Sequence, residues 1–107
     1  MFKEENIWLG KDSMLNCRIS VFGPQSGGRN GDFLSSTVRL GVKFPGTGDV
    51  QYGAEFARLD GLNVVVGEGQ LCEVRMFNDE VLKQHGTKGA FFELFEGARK
   101  IGNGKIE

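Results

Sequence analysis

The chain has 107 residues, 13 Lys+Arg against 14 Asp+Glu, a net charge of -1 and 39% hydrophobic residues including nine Phe. That length holds one domain, read as residues 1–107, and its apolar share suffices for a small core, which excludes a disordered chain. The charge balance excludes the strongly basic profile of a general nucleic-acid coat while leaving room for a local basic patch.

Seventeen glycines and only two prolines point to many tight turns, the habit of a small all-β domain. The opening Met1–Trp8 carries acids where a signal peptide needs a basic start and an apolar run, and no segment approaches the roughly 18 apolar residues of a membrane helix. Cys17 and Cys72 belong to no Cys-x-x-Cys motif and sit on alternating segments, so they read as buried free thiols of a reduced, cytoplasmic protein, with a disulfide between them as the alternative.

In chain order, Leu15, Cys17, Ile19 and Val21 alternate with polar residues as a half-buried strand does. A turn-rich loop follows over Gly23–Asp32. Val38, Leu40, Val42 and Phe44 form a second strand that stops at Pro45-Gly46. Tyr52, Ala54 and Phe56 form a third, broken by Asp60-Gly61, and Leu62, Val64 and Val66 a fourth, closed by Gly67-Glu68-Gly69. Leu71–Phe77 is the next, with Cys72, Val74 and Met76 on one face. Asn78–His85 is too short for a robust helix and reads as a turn or extended connection. Ala90–Phe95 and Arg99–Ile106 form a last hairpin around Glu96-Gly97-Ala98. Six or seven short strands with glycine-rich corners indicate a barrel or sandwich.

The catalytic inventory is thin. His85, the one histidine, reads as solvent-exposed beside Lys83 and Lys88, and no His cluster or Cys pair has metal-ligand spacing. Gly97–Asn103 has the spacing of a phosphate-binding loop up to Gly102 and then Asn instead of Lys. The expectation is a protein that is not an enzyme, with no metal, no cofactor, no nucleotide and no membrane span. Two turns offer binding groups instead: Gly27–Asn30, with the Arg29 guanidinium and Asn30, and the tip Glu96–Lys100, with Glu96, Gly97, Arg99 and Lys100.

Lys88–Ile106 resembles the end of the bacterial elongation factor Tu β-barrel, domain 3. The match runs through Gly89, Phe92, Leu94, Glu96, Gly97, Arg99, Ile101, Gly102, Gly104 and Ile106. Ile19–Arg29 resembles the first strand of that barrel and the Gly-Gly-Arg-His loop after it, so the clearest similarity covers 14–34 and 67–106. The resemblance implies a single closed antiparallel β-barrel of about six strands. It also implies RNA contact, to a tRNA stem, through Arg29 and the Glu96-Gly97 pair. The family's His is Asn30 here, its Arg before Glu-Gly is Phe95 and its following Gly is Ala98, so that contact is diminished or redirected. The chain has no room for a GTPase domain. Two functions stay open: an RNA-binding module, or a protein-interaction or immunity protein that binds a toxin or a partner of elongation factor Tu, with Phe33 and Phe95 either exposed anchors or core residues; an enzyme with His85 as its general base is the third and weakest alternative. In either case the expectation is that Arg29, Arg99 and Lys100 gather in one basic patch, and that replacing both arginines leaves the fold intact because turn residues contribute little to a core.

Overall fold

A computed structural model describes residues 14–107. The opening Met1–Trp8 lies outside the described residues. Strand β1 spans Met14–Val21, β2 Thr37–Lys43, β3 Tyr52–Arg58, β4 Gly67–Met76, β5 Phe91–Glu96 and β6 Arg99–Ile106, and among the described residues an α-helix, α1, covers Asp79–His85. Each strand pairs antiparallel with its neighbours in the order β1-β4-β3-β2-β5-β6, and β6 returns to β1 to close a barrel. Closure leaves no long unpaired edge, which is how a small all-β chain satisfies its backbone.

Alternation decides which side chains fill the barrel. Cys17, Ile19 and Val21 of β1, Val38, Leu40 and Val42 of β2, Ala54 and Phe56 of β3, and Cys72, Val74 and Met76 of β4 point inward and are buried. Phe92 and Leu94 of β5 join them, and Phe92 packs on Phe44 and Phe56 with ring centroids 5.6 and 6.0 Å away. The expected core is present with one exception: Leu15 lies half-buried at the margin. Cys17 and Cys72 face each other across β1 and β4 as free, buried thiols.

Two expected elements are corrected. Residues 62–66 do not form a strand; β3 and β4 are joined by an irregular connection that crosses the end of the barrel and inserts Val64 into the core. Its backbone finds partners that are not a strand. Gln70 accepts from the Val65 N–H at 2.9 Å and donates to the Val65 carbonyl at 2.7 Å, Asp32 accepts from the Val66 N–H at 2.8 Å, and Val64 exchanges bonds with Phe33 and Ser35. Alternation in this segment therefore serves a plug rather than a ladder.

Asn78–His85 contains a helix, not an extended link. The Asn78 side chain caps it by accepting from the Glu80 N–H at 3.1 Å, Asp79 and Glu80 suit its first turn, and Val81 with Leu82 are buried against the barrel. Tertiary burial stabilises a helix too short to persist alone. It also brings His85 onto the Phe44 ring, stacked at 5.7 Å and half-buried rather than solvent-exposed.

Candidate functional site

The chain leaves β1 at Val21 and folds back at once. Phe22 donates to the Ile101 carbonyl at 2.7 Å, Pro24–Ser26 make one 3₁₀ turn, and Arg29 donates its N–H to the Phe22 carbonyl at 2.9 Å. Gly28 is buried in this fold-back, where a Cβ would strike the Phe22 carbonyl. At the same end, β5 turns into β6 through Gly97, whose φ of 63° suits glycine alone at so tight a corner.

The two turns are fastened together. Arg29 Nε stands 3.3 Å from Glu96 Oε1, and the Arg29 guanidinium lies 3.6 Å from the centre of the Phe33 ring. Arg99 Nε donates to the Gly27 carbonyl at 3.2 Å, and Arg99 Nη2 donates to the Gly28 carbonyl. Gln51 Nε2 holds the Gly97 carbonyl at 2.9 Å. Arg29 Nη1 is buried without a hydrogen-bond partner, and Asn30 beside it is exposed.

Of the six residues expected at the site, Arg29, Asn30, Glu96, Gly97 and Arg99 share this end of the barrel. The expected basic patch does not form. Arg29 is ion-paired, Arg99 is engaged with two backbone carbonyls, and Lys100 turns to Glu93, with Nζ 2.9 Å from Oε2. Nor are Phe33 and Phe95 exposed anchors. Phe33 is half-covered by Arg29, and Phe95 is 7% exposed beneath Lys43, whose Nζ lies 4.7 Å from the ring centre.

Other exposed groups stand on the barrel wall. Phe91 is 63% exposed and Phe77 56%. Both follow from the alternation, because Phe92 and Met76 point inward and their neighbours must point out. Among the described residues, no three His, Cys, Asp or Glu side chains group as a metal site, and no helix is long and apolar enough to cross a membrane. Asp60 stands apart electrostatically: hydrogen bonds from Arg58 and from the Leu62 N–H hold its carboxyl below the usual range.

No protein-family model and no curated protein matches this chain.

Proposed function

We propose that the chain is a non-enzymatic binding module, related to domain 3 of elongation factor Tu, that holds a double-stranded RNA stem on the end of the barrel built by the 27–30 loop and the 96–99 hairpin tip. The observation that carries this reading is the Arg29–Glu96 pair at 3.3 Å, whose carboxylate side is half-exposed at the loop end. RNA stems are recognised through phosphates, which accept, and 2′-hydroxyls, which also donate. A guanidinium beside a half-exposed carboxylate offers both complements at one place, whereas a purely basic patch would not tell RNA from DNA. The buried, free thiols fit a reducing compartment such as the cytoplasm.

A fluorescein-labelled RNA hairpin titrated with the protein tests this. Saturable binding is expected, with the salt slope reduced by about 1 in Arg29→Gln, one phosphate contact fewer. A hairpin that does not bind, or binds Arg29→Gln with unchanged affinity and slope, overturns it.

The internal pairing of Arg29 and Arg99 favours a second reading, a protein partner at the same end. Neutralised arginines on a rigid surface contribute fit more than long-range attraction. Binding to a protein isolated by pull-down, lost in Arg29→Glu and nearly independent of salt, would select it.

A further inference from the structure

The cations of the described residues differ in what they touch, and Arg29 meets both a carboxylate and the Phe33 ring. Arg18, Arg29, Arg58, Arg75 and Lys100 each stand within 4 Å of a carboxylate. Arg39, Lys43 and Lys105 lie instead over aromatic rings: Arg39 5.3 Å from Phe77, Lys43 4.7 Å from Phe95 and Lys105 5.6 Å from Phe91. All three are on the outward face of the β3–β2–β5–β6 wall. Arg39 sits opposite Glu55, but that carboxylate is taken by Arg75 at 2.7 Å.

This wall is shaped as well as charged. Gly41 pairs with Gly53 on one side and with Phe95 on the other. The Gln51 side chain lies over Gly41 and the Phe77 ring over Gly53, and a hollow of about 300 Å³ opens among them, Arg39 and Phe95. A Cβ at Gly53 would stand 2.8 Å from the Phe77 ring, so the glycine lets an edge of that ring approach the sheet. Beyond the Lys43–Phe95 stack the β2–β5 ladder stops at Lys43 and Glu93, and a second cleft of about 640 Å³ opens between the 44–49 turn and Phe91. The two hollows thus run end to end along one seam, with an exposed ring at each outer limit. From Gly53 to Phe95 is about 10 Å across the sheet, and from Phe95 to Phe91 about 13 Å along it.

We infer that this wall is a track for single-stranded nucleic acid, with bases stacking on Phe77 and Phe91 and phosphates meeting Arg39, Lys43 and Lys105. The inference rests on the RNA reading for its class of partner, but it uses different residues and a different form of nucleic acid. Stacking platforms alternating with cations are what a sequence-tolerant single-strand site requires, since every base has a face and every phosphate a charge. A cation resting on a ring can take a phosphate without giving up a carboxylate. Glu93 is the acid within the track, held by Lys100, while Asp49 and Glu96 stand at its margins. The span suits a short strand, at the low end of the about 4–16 nucleotides that small barrels hold.

The test is fluorescence anisotropy with labelled octauridylate and octathymidylate. Saturable binding of either is expected, and a preference between them names RNA or DNA as the source. Phe91→Ala should weaken binding about tenfold. Lys43→Gln with Lys105→Gln should lower the log–log salt slope by about 1.4, with the melting temperature unchanged in both. Phe77→Ala is the second stacking variant, read alongside its own melting curve. Arg29→Gln should leave single-strand binding unchanged, so hairpin binding at the loop end and strand binding on the wall fail separately. The inference is overturned by no saturable binding, by Phe91→Ala binding as tightly as the parent, by an equal loss in Lys83→Gln with Lys88→Gln off the wall, or by a duplex competing as well as a single strand.

Discussion

Arg99 reaches from the first residue of β6 to the carbonyls of Gly27 and Gly28, so the last hairpin and the loop after β1 form one unit. Arg29 adds an ion pair to Glu96 from the opposite side of that joint. These turn residues therefore bear on stability, contrary to the expectation that they are free of the fold.

Arg99→Ala should lower stability by about 1–2 kcal/mol, because the buried Gly28 carbonyl loses a charge-assisted partner. Arg29→Gln should cost less, about 0.5–1 kcal/mol, as expected for a half-exposed pair. Urea unfolding of both variants checks the order. Arg29→Gln is accordingly the cleaner probe of binding, and Arg99→Ala must be read against its own melting temperature.

The β6 glycines should tolerate nothing larger. A Cβ at Gly102 would strike the Ser20 carbonyl of the neighbouring strand, and one at Gly104 would strike the Phe92 ring. Backbone cannot move aside as a side chain can, so Gly102→Ala should cost about 3 kcal/mol or more. Phe92→Ala, which leaves a cavity among Phe44, Phe56 and Leu94, should cost about 3–5 kcal/mol. Thermal unfolding followed by circular dichroism measures both losses, and a Gly102→Ala variant as stable as the parent would show that the β1–β6 seam has room for a methyl group.

The thiols report on the core. Burial pushes the Cys72 thiol up to about 11, and burial together with the neighbouring Cys72 pushes Cys17 higher still. The ordinary value is 9.0, so between that pH and about 11 the unfolded chain has released protons that the folded chain retains. Stability should then be full below pH 9 and fall as the pH rises. At pH 8 both thiols should resist Ellman's reagent until denaturant opens the barrel. A Cys17→Ser, Cys72→Ser variant with an equally steep alkaline loss would assign that loss to other groups.

Legibility in the sequence followed the period of the side chains. Val38, Leu40 and Val42 alternate cleanly because one face of β2 is solvent and the other core, so their burial could be read directly. Leu62, Val64 and Val66 alternate just as cleanly, yet their partners are the Gln70 and Asp32 side chains and residues 33–35, which no local pattern reveals. Asn78–His85 failed for the complementary reason: Val81 and Leu82 gain from burial against the barrel, a tertiary gain absent from a short window. Turn spacing located Arg29 and Glu96 but could not show that they neutralise each other. Phe91 and Phe77 were readable in principle, each being the outward neighbour of an inward residue. What the pattern lacks is the pairing that sets Lys105 beside Phe91 and Gly53 beneath Phe77.

Gln70 carries the last prediction. Among the described residues it is the buried polar side chain, 6% exposed, and its amide stands in for a strand neighbour. Oε1 accepts from the Val65 N–H, and Nε2 donates to the Val65 carbonyl and, at 3.2 Å, to that of Gly67. Gln70→Leu keeps the volume and strips these three bonds as well as that from Arg58 Nη1, leaving buried backbone groups without partners. The expected cost is about 2–4 kcal/mol, more than the net value of the bonds, because desolvation of the orphaned groups is not recovered. Gln70→Glu separates the two halves of the amide. Its carboxylate can still accept from Val65 N–H, with Arg58 Nη1 nearby, but it faces two carbonyls with no proton to give. Protonation restores a donor, so the folded state holds that proton more tightly than the unfolded chain and the variant should gain stability relative to the parent as the pH falls through the carboxyl range. Urea midpoints for the parent and both variants at neutral and acid pH measure this. If Gln70→Leu unfolds at the parent's midpoint, the 59–66 connection is held without the amide, by Val64 packing, its bonds to Phe33 and Ser35, and Asp32.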